Sequence, residues 1–98
     1  MGHTECGAVA AAISGPPLAG KLRDIQEKIE PVALRIKKTH PGLKGSELEN
    51  AVVKANALRA KNDLFSRSPQ IRRLAESGKL KVLIAVYDIM TGRVEWAE

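Results

Sequence analysis

Along the 98 residues, apolar positions recur every three or four places over most of the chain, and a continuous run rich in branched apolar residues stands near its end. Between Leu18 and Lys38, the residues Leu18, Leu22, Ile25, Ile29, Val32 or Ala33, and Ile36 draw one stripe, the mark of an amphipathic helix. Pro31 falls inside that stripe. It removes a backbone donor and clashes one turn back, so the pattern predicts a kink there or a break into two shorter helices. A further stripe of Leu48, Val52, Ala55, Leu58 and Phe65 predicts a helix ending near Phe65, with Asn56 beside the apolar face. Ser46-Glu47-Leu48-Glu49 predicts its start as a capping box: the Ser46 hydroxyl accepts an N–H three residues on, and Glu49 reaches back.

Shorter elements fill the rest. Ala8 to Ile13 is a run of small residues suited to a short helix, stopped by Ser14-Gly15-Pro16-Pro17. Thr39-His40-Pro41-Gly42-Leu43-Lys44-Gly45 is a loop by its Pro and Gly content, with His40 exposed in it. Ser68-Pro69 opens another helix with an N-cap and a first-turn proline, Gly78 ends it, and Ile71, Leu74 and Ala75 form its expected buried face. Val82-Leu83-Ile84-Ala85-Val86-Tyr87 is an unbroken apolar run with branched side chains. A strand apolar on both faces expects covering layers on both sides, as in a parallel α/β sheet. Asp88 to Gly92 then forms a turn, and Arg93-Val94-Glu95-Trp96 alternates as a short antiparallel edge strand.

Composition narrows the picture. The chain is 44% hydrophobic but only 3% aromatic, so its core is aliphatic and Ala-rich. A chain this short makes a single small domain at most. There is no apolar run of spanning length and no signal-peptide pattern, which argues against a membrane partner and makes the cytoplasm the expected compartment. One Cys forms no intramolecular disulfide, in keeping with a reducing environment. The net charge of +5 raises nucleic-acid binding, yet the basic residues from Lys21 to Arg93 are spread out and interleaved with acidic ones. Only Phe65, Tyr87 and Trp96 offer aromatic rings for stacking on bases, so nucleic acid is not an expected partner.

The candidate chemistry lies at the start. His3 and Cys6, the chain's single Cys, stand three residues apart in Gly2-His3-Thr4-Glu5-Cys6-Gly7-Ala8-Val9. Imidazole and thiolate are donors that Zn²⁺ favours, and a zinc site takes three or four protein ligands, of which this run offers two. Spacing alone leaves open an unrelated surface imidazole and a small buried thiol. As a whole, however, Gly2 to Ala12 resembles the second zinc-ligand motif of the β-class carbonic anhydrases, in which a strand ends in Gly-His-Thr-x-Cys-Gly and a helix follows. Ile29-Glu30-Pro31-Val32-Ala33 and Ala55-Asn56-Ala57 are similar to stretches of the same family. So is the ending, Gly78-Lys79-Leu80-Lys81-Val82 through Tyr87-Asp88-Ile89 and Thr91-Gly92-Arg93-Val94, although Ile84 stands where the family usually has Gly.

The resemblance implies an α/β fold: the helix-rich later half of a β-carbonic-anhydrase-like parallel-sheet domain with a terminal strand-turn-strand, residues 1–98 forming one partial domain. It implies Zn²⁺ as cofactor, His3 and Cys6 as metal ligands, and CO₂ and bicarbonate as substrates. The family's earlier Cys-x-Asp-x-Arg run, which supplies another thiolate and an Asp/Arg pair, has no counterpart here; Arg23-Asp24 has the wrong order and spacing. No catalytic residue is therefore identified beyond the metal ligands. The chain alone is expected to be weak or inactive in CO₂ hydration, acting only when a partner segment supplies the missing groups. The Val82 to Val86 strand is expected to present a long unpaired edge and an uncovered apolar face, which association would relieve, either with a copy of itself or with a first-half polypeptide. The alternative is a non-catalytic oligomerisation module with a vestigial zinc half-site.

Overall fold

The small-residue run after Cys6 forms a helix, α1 (Gly7–Ser14), behind a two-residue strand, β1 (Gly2–His3). In the computed structural model, which describes residues 1–97, the helices α2 (Gly20–Thr39), α3 (Gly45–Arg67) and α4 (Pro69–Glu76) follow. Strands β2 (Ala85–Tyr87) and β3 (Val94–Trp96) close the chain's described part. The sheet order is β1-β2-β3. Strand β1 runs parallel to β2, with Gly2 opposite Val86 and His3 opposite Tyr87. Strand β3 returns antiparallel, Val94 opposite Tyr87.

The sheet is thus small and mixed, and its middle strand corrects one expectation. β2 is paired on both sides, because Gly2 and His3 supply a parallel partner at the chain's start; the open parallel edge belongs to β1. The strand is also shorter than its apolar run. Val82 to Ile84 lie outside the ladder, with Ile84 buried and Leu83 exposed. The turn after β2 is tied by the Gly92 N–H donating to the Asp88 carbonyl at 2.8 Å, and by the Met90 N–H donating to Asp88 Oδ1 at 2.9 Å.

The core is aliphatic, as composition requires. Val9 of α1, Ile29, Val32 and Ala33 of α2, and Leu48, Val52 and Val53 of α3 form its centre, and Cys6, Ala8, Ala12 and Val86 pack against it. Burying such side chains is worth about 1.5–3 kcal/mol each for the larger ones. This packing explains why α2 does not break at Pro31. The helix runs unbroken through the proline, which faces solvent while its neighbours Val32 and Ala33 are buried. Tertiary burial on the opposite face outweighs the one lost backbone bond.

The buried face of α2 is also rotated from the expected stripe. Leu22 and Ile25 are 60% and 48% exposed, and Gln26 is buried in their place at 1%. Its amide is fully employed. Oε1 accepts from the Leu18 N–H at 2.8 Å and from Arg23 at 2.9 Å, while Nε2 donates to the carbonyls of Ala11 at 3.0 Å and Pro16 at 3.1 Å. A buried amide is tolerated when every polar atom finds a partner. Gln26 thereby fastens the end of α1 and the Pro16-Pro17 bend to α2.

Helices α3 and α4 correct two further details. α3 begins at Gly45, whose φ of +58° suits glycine, and no capping box forms: among the described residues neither Ser46 nor Glu49 makes the reciprocal bonds. Its inward face carries Val53 and Ala57, whereas Leu58 is exposed. α4 starts as expected, the Ser68 hydroxyl accepting the Ile71 N–H at 3.3 Å with Pro69 in the first turn. Its expected apolar face is not buried, however; Ile71 and Ala75 are half-covered and Leu74 is exposed. Among the described residues no helix is long and apolar enough to cross a membrane.

Candidate metal centre

His3 is the last residue of β1, and Cys6 is the N-cap of α1, so the two lie either side of one tight strand-to-helix turn. The turn is pinned to the far end of the chain. The Thr4 N–H donates to the Tyr87 carbonyl at 2.9 Å, and the Thr4 hydroxyl accepts the Ile89 N–H at 3.1 Å. Glu5 turns the chain with φ +53°, a left-handed conformation that side chains other than Gly, Asn and Asp rarely adopt. Beneath, β1 lies directly on α3: a Cβ on Gly2 would stand 2.6 Å from a Val53 methyl carbon. Only glycine allows this approach.

Both candidate ligands are presented for use. His3 is exposed, and its Nδ1 lies 2.8 Å from the Thr4 carbonyl. A carbonyl only accepts, so Nδ1 carries the proton and the Nε2 lone pair is left to ligate. This is the arrangement metal-bound histidines use, a backbone oxygen fixing the tautomer. Cys6 is half-buried against the core and makes no side-chain capping bond, while its carbonyl accepts the Ala10 N–H at 3.0 Å. The thiol is therefore not consumed by the helix start. The location is the carboxyl end of a parallel strand, where open α/β sheets place their ligands.

The donor chemistry fits zinc, and the number of donors fits half a shell. Among the described residues no group of three or more His, Cys, Asp or Glu side chains is assembled for a metal. His40, at the end of α2, is exposed and its Nδ1 lies 2.9 Å from the Thr39 hydroxyl, in keeping with its reading as a loop residue. An open pocket of about 660 Å³ lies beside Thr4, between α3 and the sheet, lined by Lys54, Asp88 and Arg93 among others. Neither His3 nor Cys6 lines it.

A family model described as carbonic anhydrase matches residues 1–94. The chain belongs to the carbonic anhydrase family. Among solved structures it is similar to the β-carbonic anhydrase CafD of the filamentous fungus Aspergillus fumigatus, with a TM-score of 0.76 and 24% identity, over 99% of this chain and 54% of that one. It is also similar to a β-carbonic anhydrase of the filamentous ascomycete Sordaria macrospora, described as tetrameric, with a TM-score of 0.72 and 21% identity, over 97% of this chain and 48% of that one. No curated protein matches it in sequence. At these identities the likeness establishes the fold: the chain adopts the architecture of the C-terminal half of the β-class structures and spans about half their length. Zinc is the metal this family implies.

Several supporting residues of the site escaped the periodicity. Val53 falls off the expected stripe of α3 yet forms the floor beneath Gly2. Thr4 shows its role only through two bonds to residues at the other end of the chain. Gln26 carries no sequence signal at all, since a polar residue on a helix is solvent-facing by default.

Proposed function

We propose that His3 and Cys6 are zinc ligands and that the chain contributes half of a carbonic anhydrase site for the reversible hydration of CO₂ to bicarbonate. The observation that carries this reading is the pairing of a tautomer-fixed imidazole on β1 with an uncommitted thiol at the start of α1, in a carbonic anhydrase chain. When bound with one position left open, zinc supplies Lewis-acid activation of water for attack on CO₂. The chain's own residues hold and orient. Thr4 fixes the His3 ring and ties the turn to β2, and Gly7 offers a first-turn N–H with nothing within 4 Å of its missing Cβ, open to a bound anion. The second thiolate and an Asp/Arg pair come in this reading from another polypeptide segment, and a reducing compartment such as the cytoplasm suits a lone ligating thiol.

Zinc content and CO₂ hydration of the purified chain, alone and mixed with a first-half polypeptide carrying Cys-x-Asp-x-Arg, test this. Weak or no turnover alone, and turnover on mixing, are expected. Efficient turnover by the chain alone would refute the shared site, and absence of zinc in the mixture would refute the ligand assignment.

The second reading, an oligomerisation module with a vestigial half-site, draws on the apolar surface left in the open. Leu22, Ile25 and Leu34 of α2 and Trp96 of β3 are all exposed, and the Sordaria macrospora relative is tetrameric. Cys6→Ser separates the readings. An assembly unchanged in mass and melting temperature favours the module; loss of zinc and of stability favours the metal site.

A further inference from the structure

Neither His3 nor Cys6 lines the cavity beside Thr4, and what does line it carries both signs of charge. The cavity measures about 660 Å³ and is walled by α3 and the β2-β3 hairpin, a volume typical of small-molecule sites. Side chains alternate along paired strands, which decides what the hairpin presents to α3. Val86 packs on the core and stands opposite Glu95, and two residues on the Asp88 N–H donates to the Arg93 carbonyl at 2.8 Å. Val86, Asp88, Arg93 and Glu95 therefore share the face turned to the cavity, and Lys54 of α3 supplies a second cation. Among the described residues Lys54, Arg93 and Glu95 make no ion pair and no side-chain hydrogen bond, and the Asp88 carboxylate accepts only the Met90 N–H. Two charges of each sign thus line one cavity without cancelling. Two hydroxyls add donors: Thr4 Oγ1 accepts the Ile89 N–H at 3.1 Å and Thr91 Oγ1 the Arg93 N–H at 3.3 Å, which leaves each hydroxyl proton to donate.

We infer that this cavity binds a small zwitterion, an aliphatic α-amino acid, with its carboxylate held by Lys54, Arg93 and the threonine hydroxyls and its ammonium by Glu95 and Asp88. The inference is independent of the zinc reading, since no proposed metal ligand takes part. Charge balance selects the ligand class. An anion alone would meet the two carboxylates, and a cation alone the two basic side chains, each at a repulsive cost. A ligand bearing both charges gives all four groups a charge-assisted partner and adds no net charge. The rest of the lining suits a short aliphatic side chain, because Ala51 on α3 and Val86 on β2 give the cavity apolar walls. Walls drawn from α3, the β1–α1 turn and the hairpin mean that the ligand joins three parts of the chain, so binding should resist unfolding.

Titration of the full-length chain with L-valine tests this, by calorimetry and by thermal unfolding at low ionic strength, where exposed charges are least screened. Isovalerate and isobutylamine, which are valine without its ammonium and without its carboxylate, serve as the single-charge halves. The expected result is one saturable valine site per chain and a melting temperature that rises with valine concentration. Each half should bind about tenfold or more weakly, the loss of one charge-assisted contact. Arg93→Gln and Glu95→Gln should each weaken valine by a similar factor. Both side chains are exposed and unpaired, so the variants should keep the parent's circular dichroism and its melting temperature without ligand. Isovalerate binding as tightly as valine would make this an anion site, and isobutylamine doing so a cation site; either overturns the inference. Absence of saturable valine binding overturns it too, as does binding that survives both substitutions.

Discussion

Gly2 and Val53 touch so closely that a Cβ on Gly2 would stand 2.6 Å from Val53 Cγ1 and 3.2 Å from its carbonyl oxygen. The strand that presents His3 is therefore seated on α3 at near-backbone distance, and the position of the imidazole is set by a residue that has no side chain. Gly2→Ala should cost about 1–3 kcal/mol, the range for forcing an added carbon into a packed contact. Adding Val53→Ala removes the methyl but not the carbonyl, so the double variant should recover only part of the loss. Thermal unfolding of the two variants measures both effects, and a neutral Gly2→Ala would show that β1 is free to shift.

Thr4 acts as the tie between the two ends of the chain through the Ile89 N–H. Thr4→Val keeps the shape and removes the acceptor, and should destabilise by roughly 1 kcal/mol or less, since the bond is exposed. Zinc uptake should weaken as well, because the turn holding His3 loses one of its two fastenings. Isothermal titration of Thr4→Val with zinc checks the second effect independently of the first.

Glu5 sits at φ +53°. A left-handed backbone costs an ordinary side chain roughly 1–2 kcal/mol, and Asn tolerates it better. Glu5→Asn should raise the denaturation midpoint slightly, and Glu5→Val, branched at Cβ, should lower it. The order of the three midpoints in urea tests the claim.

Gln26→Leu is the substitution that a hydropathy argument would call favourable. It leaves the Leu18 N–H and the Pro16 carbonyl without the bonds Gln26 now makes, while the Ala11 carbonyl keeps only the Gly15 N–H. Stranding such groups should outweigh the apolar gain, with a loss of about 3 kcal/mol. An equal or higher melting temperature for Gln26→Leu would show that water replaces the amide.

Pro31 should respond in the opposite sense. It is exposed within a continuous helix, so Pro31→Ala restores a backbone donor without disturbing the core and should stabilise by about 1–3 kcal/mol. A chevron or melting comparison with the parent chain suffices to see it.

The order of the helical segments, the turn from Asp88 to Gly92 and the antiparallel return of β3 were legible in the sequence because each depends on near neighbours. Periodicity reports which side of a helix is apolar, a cap reports a helix start, and Gly and Pro report where the chain must turn. The Ser68-Pro69 start succeeded on these grounds. The Ser46 box failed because Gly45 opens α3 one residue earlier in a left-handed conformation, leaving the Ser46 hydroxyl out of the cap.

What the chain's letters determined alone were its helices, its aliphatic core and the pairing of an imidazole with a thiol three residues on, since all of these are properties of sequence spacing. Tertiary structure alone decided that Gln26 rather than Leu22 or Ile25 faces inward, that Pro31 bends no helix apart, and that the open edge belongs to β1. Gln26 is held by carbonyls 10 and 15 residues away and β1 by Val86 and Tyr87 at the other end of the chain, and contacts at such range are fixed by how surfaces fit together, which no local pattern encodes.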